Sequence, residues 1–457
     1  MDLRSQGLAS IDTKSPIPRS TSSRWVDLFD FYKDVDTAIT SRYQELGPIF
    51  RWTTIKDTVM LLGPDANQFV LTTHPKIFAA SLGWSDYIGA LFRGGLLNRD
   101  GSDHRQHRKL LTPAFRQEAL RGYLEQIEFI IQEHFEKMPA HCPNIYDEMK
   151  MLTLHIASRA FFGVTDPEEL KVWKRLITDV VAGSVAFVKW PIIGRTYRKA
   201  LASRKQLSDL MRYRVEHRRR TPSNDMLGQL CQVHEDGEKL SDDEIIDQMI
   251  FLLMAAHDTT ASTLTSIFFE LAQHPEWQDR LAEESLDPRL ARVAVGDLPE
   301  KLQAHHLVIK ETLRRNTPLR IYPRVNREAI QYLGYTIKAK QLVAVCPAFS
   351  HFMEEYWTRP LAFDPERFAP DRLEHKRHPG LYVPFGGGLH LCLGQVFAEK
   401  FVAVILHECI KRYSWSIPNL DQRSFQKIPI QVPKGKLPVN FQRRKAQIQT
   451  KTEKQAS

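Results

Sequence analysis

The sequence predicts a mainly α-helical fold with small β-sheets, organised as one large domain, and three observations carry that expectation. Helical periodicity runs through six long stretches, whereas strand patterning is confined to short pieces. No internal repeat, low-complexity block or Gly/Ser linker interrupts the middle of the chain. The composition is that of an ordinary globular protein, 457 residues with 42% hydrophobic, 26% charged and 10% aromatic side chains. That balance excludes disordered, collagen-like and coiled-coil readings.

Taken in order, residues 1–23 are rich in Ser, Pro and charge and read as a flexible segment. Residues 24–440 form the working domain, and 441–457 read as a flexible basic tail. Helices are expected over 117–135, 147–162, 203–218, 241–273, 299–316 and 395–411, and strands within 50–62 and 330–345. The stretch 241–273 is the most informative. It opens on Ser241-Asp-Asp-Glu244, a capping box, and stops before Pro275. At 1.5 Å per residue such a helix is about 50 Å long, enough to cross the domain. Its middle, IFLLMAA, is apolar on all sides, which places it centrally. His257, Asp258, Thr259 and Thr260 follow at once, and polar groups at that depth need partners or a purpose.

Lysine and arginine exceed aspartate and glutamate by 63 − 54 = 9, so a nucleic acid, an anionic membrane or an acidic protein would each suit the surface. The basic residues are dispersed and no recognition motif accompanies them, which disfavours nucleic acid. Five cysteines, Cys142, Cys231, Cys346, Cys392 and Cys409, form no CxxC pair, so a reducing, cytoplasmic setting is expected in place of a disulfide framework or zinc ribbon. The first residues lack a signal-peptide core, and the longest apolar run, 249–256, falls far short of the ~18 residues that span a bilayer. A soluble protein without a transmembrane anchor is expected.

The chemistry concentrates in 384–406, PFGGGLHLCLGQVFAEKFVAVIL. Gly386, Gly387 and Gly388 permit positive φ and close backbone approach to something flat. Cys392 then precedes an apolar helix, whose N-terminus favours a thiolate, a soft metal ligand. The glycines do not complete a dinucleotide fingerprint, because Leu391 stands where its last glycine belongs.

The stretch Phe385-Gly-Gly-Gly-Leu-His-Leu-Cys-Leu-Gly394 resembles the cysteine-ligand loop of the cytochrome P450 family, the haem-thiolate monooxygenases, and most of all its soluble, bacterial-type members. Three further signatures stand in the family's order. Ala255-Ala-His-Asp-Thr-Thr260 resembles the oxygen-activating (A/G)GxDT segment, Glu311-Thr-Leu-Arg314 matches ExxR, and Phe363-Asp-Pro-Glu-Arg-Phe368 matches PERF. The resemblance spans roughly residues 24 to 440.

That resemblance implies haem b, iron protoporphyrin IX, with the Cys392 thiolate as axial ligand. It places Phe385 and Gly386 against the cofactor and gives its propionates to His104, Arg108, Arg324 and His390. Many members carry tryptophan where this chain has His104 and arginine where it has His390. It assigns Glu311, Arg314 and Arg367 to a buried structural triad, the alternative being an exposed helix pair worth under ~1 kcal/mol. Asp258 and Thr259 become the candidates for proton delivery, or else a core ion pair and a hydroxyl bonded back to its own helix. Ala256 stands where the family usually has glycine.

Cavity walls are expected from 78–92, 184–190, 252–260 and 319–323, which suit a large apolar substrate resembling a lipid, steroid, terpenoid or fatty acid. Dioxygen and electrons from a separate ferredoxin- or flavodoxin-type donor with its reductase complete the implied reaction, the donor docking on Arg105, Arg108, Lys109 and Arg116. A haem isomerase, dehydratase or peroxygenase on the same fold, or a non-enzymatic haem or ligand binder, remains the alternative.

Overall fold

The computed structural model describes residues 16–54, 56–184, 194–235 and 237–444. Long helices dominate it: α1 Arg24–Leu46, α2 Gly101–Leu111, α3 Gln117–Glu136, α4 Ile145–Phe162, α5 Pro167–Ser184, α6 Arg195–Arg220, α7 Asp242–Gln273, α8 Pro275–Ser285, α9 Gln303–Arg315 and α10 Gln395–Ile410. The main sheet holds five short strands, β1 Ile49–Thr53, β2 Asp57–Leu61, β3 Phe78–Ala79, β4 Tyr322–Asn326 and β5 Leu342–Val345. The expected mainly helical fold with small sheets is the one observed.

α7 is the axis. The Ser241 hydroxyl accepts from the Glu244 N–H while the Glu244 carboxylate accepts from the Ser241 N–H, so the capping box forms as its sequence demands. α4, α6, α9 and α10 all pack on α7. Polar side chains on it find neighbours: Gln248, fully buried, accepts from the Leu96 N–H and donates to the Gly94 carbonyl, fixing the chain ahead of α2.

Helix limits shift for physical reasons. α6 begins eight residues before its expected start, because Tyr197, Ala200, Ser203, Leu207, Met211 and Val215 form a buried stripe beneath an Arg/Lys-rich face. The expected helix over 299–316 divides, with Pro299 in a 3₁₀ turn, Leu298–Lys301, ahead of α9. α1, α5 and α8 were not among the expected helices. α1 is bent at Asp34, whose φ of −158° and ψ of 91° leave the helical region.

The main sheet runs in the order β1-β2-β5-β4-β3, antiparallel except between β2 and β5. The strand signal within 50–62 is a hairpin, and that within 330–345 resolves into a separate hairpin, Ile330–Tyr332 with Tyr335–Ile337, followed by β5. The N-terminal segment is not free up to residue 23. The Arg51 N–H donates to the Pro18 carbonyl at 2.7 Å and the Ser20 N–H to the Arg51 carbonyl at 3.3 Å, so residues 18–20 cover the β1 edge. At the other end, strand Val439–Arg443 pairs with Tyr413–Ser416 and continues past residue 440. No helix among the described residues is long and apolar enough to cross a membrane.

Candidate active site

The loop before α10 is folded on its own backbone. The Cys392 N–H donates to the Phe385 carbonyl at 3.0 Å, and the Gly386 N–H to the Val383 carbonyl at 3.0 Å. Gly386 and Gly388 take φ of 77° and 62°, which side chains resist, whereas Gly387 is extended. The close approach expected at these glycines falls at Gly388 and against protein: a Cβ there would stand 2.0 Å from the Leu71 carbonyl oxygen. Gly386 has only the Tyr322 ring and the His390 carbonyl near its Cβ position, at 3.9 and 3.7 Å. The Tyr322 hydroxyl on β4 donates to the Pro384 carbonyl at 2.7 Å, tying the loop to the sheet.

Cys392 presents accessible surface, while the other four cysteines are buried. Met254, Ala255, Ala256 and Thr259 are also partly accessible, although they lie mid-way along the buried α7. Accessibility at the centre of a close-packed helix requires a hollow beside it. Burial pushes the Cys392 thiol up, against the Gly394 N–H and the Arg108 charge, which favour the thiolate. The helix N-terminus alone does not offset that burial; a bound metal cation would favour the thiolate further.

Around that loop stand basic groups with few partners. His104 on α2 is buried and lies against His390, ring centroids 4.1 Å apart and planes inclined by 39°, and its Nε2 has no hydrogen-bond partner among the described residues. Burial holds its imidazole down at about 4, with the His390 and Arg108 charges adding to the effect. Arg108, one turn on, donates to the Leu391 carbonyl at 2.7 Å. Arg324 on β4 is buried and donates to its neighbour's Pro323 carbonyl at 2.9 Å; burial lowers its guanidinium to about 10. A buried imidazole nitrogen without a partner and a buried guanidinium so poorly satisfied suit an anion that the protein does not itself provide. The four residues expected at the propionates thus fit such a group, and Cys392 fits its metal.

His107, on the same helix, has partners of its own. Its Nδ1 meets the Asp103 carbonyl at 2.9 Å and its Nε2 the Glu244 carboxylate at 3.0 Å, so it joins α2 to the start of α7.

Asp258 and Thr259 point apart. The Thr259 hydroxyl donates to the Ala255 carbonyl at 2.7 Å, the back-bond that was the alternative to a catalytic role. That bond consumes its hydrogen and leaves its lone pairs free to accept. The buried Asp258 carboxylate lies 3.2 Å from the Lys150 ammonium on α4 and 3.7 Å from His257 Nε2. His257 Nδ1 sits 3.0 Å from the Thr153 hydroxyl.

Glu311, Arg314 and Arg367 form a buried cluster, and an exposed helix pair is excluded. Arg314 donates twice to Glu311, at 2.7 and 2.8 Å, and Arg367 Nε donates to the same carboxylate at 3.2 Å, with all three side chains shut off from solvent. Arg314 also donates to the His351 and Pro360 carbonyls, and Arg367 to the Thr358 carbonyl and to a second carboxylate, Glu374, at 2.9 Å.

Two residues that sequence reasoning missed complete the frame. His351 places Nδ1 3.0 Å from the Arg314 carbonyl, and its Nε2 accepts from the Val383 N–H at 3.4 Å, which links the buried cluster to the cysteine loop. Burial holds its imidazole at about 3. Asp100 accepts from the Ala80 and Ser81 N–H groups, from Arg327, and from His390 at 3.2 Å. Burial alone would raise its carboxyl, but hydrogen bonds from His390, Ser81 and Ala80 outweigh it and pull it to about 2. An acidic residue just before α2 reads in the sequence as that helix's N-cap, yet Asp100 makes no side-chain cap there and serves Ala80 and Ser81 instead. Of the expected cavity walls, Ser184 is buried, while 185–190 lie outside the described residues.

The whole arrangement has known counterparts. The family model for cytochrome P450 matches residues 17–441. A putative cytochrome P450 136 of Mycobacterium tuberculosis is 36% identical over 388 residues, covering 83% of this chain and 78% of its own. The abscisic acid 8'-hydroxylase 1 of Arabidopsis thaliana is 29% identical, covering 94% and 92%. The solved structure of a retinoic acid-bound cyanobacterial CYP120A1 superposes with a TM-score of 0.84 at 26% identity, covering 94% of this chain and 99% of its own. The family match over residues 17–441, the 36% identical relative and the shared fold place the chain in the cytochrome P450 family as a haem-dependent monooxygenase.

Proposed function

We propose that this monooxygenase oxidises a large apolar molecule of lipid, steroid, terpenoid or fatty-acid type, with haem b held by Cys392 and electrons drawn from a ferredoxin- or flavodoxin-type donor and its reductase. The observation that carries the site assignment is the buried Nε2 of His104, without a partner among the described residues, beside the His390 ring and one turn from Arg108. The relatives support the substrate class through their names, one a hydroxylase of abscisic acid and one solved with retinoic acid. Five free cysteines suit a reducing, cytoplasmic setting.

When bound, haem uses two electrons and dioxygen to place one oxygen atom in the substrate while the other leaves as water. The chain supplies everything around that chemistry. Cys392 Sγ would hold the iron as a thiolate, Arg108 and Arg324 would offset the charge of the propionates, and His104 and His390 would offer them hydrogen bonds. Phe385 and Gly386 would border the cofactor. Lys150 Nζ, half-buried, holds a proton 3.2 Å from Asp258 and connects that buried carboxylate with solvent. Asp258 takes protons from that side and passes them inward. Thr259 Oγ1, its hydrogen engaged by Ala255, accepts from a water and orients it as the donor.

The donor docks on the outer face of α2, where Arg105 and Lys109 are exposed and Arg116 lies 3.9 Å from Glu235. Turnover of a terpenoid acid in isotopically labelled dioxygen, with ferredoxin, reductase and NADPH, tests the reading. One labelled atom should enter the product. Product formed only with added peroxide, or an isomer without label, would favour the peroxygenase or isomerase alternative.

A further inference from the structure

A cleft opens where the second half of α1, the last turns of α7, the end of α9 and the hairpin of strands Phe425–Gln426 and Val432–Pro433 meet. None of the residues on its wall is among those assigned to haem or proton delivery. Its volume is about 250 Å³. That falls short of the ~300–1,000 Å³ of pockets that take drug-sized molecules, so the space suits something smaller.

Two kinds of side chain line it. Phe269 and Phe425 meet edge to face, ring centroids 5.0 Å apart, and Phe352 adds a third ring. Arg315, Arg320, Arg423 and Lys427 bring four cations, and among the described residues Asp36 is the one carboxylate on the wall.

The charges can be counted pair by pair. Arg315 donates to Glu270 at 2.9 Å, Arg320 donates twice to Asp36, at 2.7 and 2.5 Å, and Lys427 lies 3.0 Å from Asp34. Lys427 also stands 2.9 Å from Asp36, so these three cations share three carboxylates. Burial would raise the Asp36 carboxyl, but the Arg320 and Lys427 charges outweigh it and hold it low. The fourth cation, Arg423, forms no ion pair among the described residues. Its Nε and Nη2 donate to the Pro418 carbonyl, both at 3.2 Å, and its Nη1 to the Lys436 carbonyl at 3.4 Å. Nor does the surrounding chain balance it, because residues 422–438 hold Arg423, Lys427, Lys434 and Lys436 and no Asp or Glu. A half-buried guanidinium without a counter-ion, set beside aromatic rings, fits an anion that carries one charge on a flat apolar body.

We propose that this cleft binds a small aromatic monocarboxylate, its carboxylate on Arg423 and its ring against Phe269 and Phe425. The site stands behind the expected cavity wall 319–323. Gln431, also on the cleft, donates its N–H to the Pro318 carbonyl at 3.1 Å, and the Ser262 hydroxyl on α7 donates to the Gln431 carbonyl at 2.6 Å. An occupant braces that segment from outside the space beside haem.

Holoprotein is titrated calorimetrically with benzoate while phenylimidazole fills the iron side. Parallel titrations use inorganic phosphate, which has charge alone, and benzyl alcohol, which has the ring alone. Benzoate should bind with a Kd on the order of 1 mM or below, at least ~10-fold more tightly than either, and phenylimidazole should not weaken it. Arg423→Gln should lose ~10-fold or more of that affinity, while Arg423→Lys, which keeps the charge, should stay within ~3-fold of the wild type. No benzoate binding, binding that phenylimidazole abolishes, equal binding of phosphate or benzyl alcohol, or undiminished binding by Arg423→Gln overturns the proposal. So does an equal loss in both variants, since Arg423 would then serve only to hold the Pro418 and Lys436 carbonyls.

Discussion

At the scale of single residues, the account separates two neighbours in sequence by what their side chains touch. Thr259 gives its hydrogen to its own helix, and Asp258 reaches away toward Lys150. Thr259→Ala should keep haem, substrate binding and oxygen uptake but form roughly tenfold less product per oxygen, the balance appearing as peroxide. Asp258→Asn should instead slow the whole cycle by roughly a hundredfold or more. Measuring product, peroxide and oxygen together decides the matter, because purely structural roles predict similar losses of stability in both variants with the product-to-oxygen ratio unchanged. Cys392, Asp258 and Thr259 stand out in the sequence as candidates because the chemistry proposed for them resides in the residue type and its immediate neighbours. Asp100 and His351 do not, since what each does depends on a partner 290 and 32 positions away.

Among elements, the buried Glu311–Arg314–Arg367 cluster is the joint between α9 and the chain leading to the cysteine loop. Its charges are desolvated and paired, so removing one partner strands the others. Arg314→Met should cost about 3–5 kcal/mol, measured as a lowered denaturant midpoint, against under ~1 kcal/mol for an exposed pair. A midpoint within error of wild type would contradict the buried assignment. Much of this level was legible: α7 with its capping box, α3, α4 and α10 follow from periodicity and end signals. The start of α6 lies beyond its expected limit because its charged face hides the apolar stripe, and α1 escapes because three of its five aromatic residues are exposed. The β2–β5 parallel pairing joins strands nearly three hundred residues apart, which no local pattern encodes.

For the whole molecule, several histidines are folded in as neutral groups. Burial holds His351 and His407 at about 3 and His257 at about 4, against an ordinary value of 6.5. The unfolded chain binds protons at these sites below pH 6.5 and the folded chain does not, so stability is full above that pH and falls as pH drops from 6.5 toward 4. Asp100, held at about 2, adds its loss only below pH 4. Denaturant midpoints at pH 7.5 and 5 should therefore differ, the acidic one lower; equal midpoints would show that these imidazoles are not held neutral.

The central claim is that this fold builds a haem-thiolate centre on Cys392, and the absorption spectrum of the reduced, carbon monoxide-bound protein tests it most directly. The wild type should show the red-shifted band of thiolate ligation, and Cys392→His should retain haem yet lose that band. Persistence of the band in the variant, or its absence from the wild type, would contradict the account.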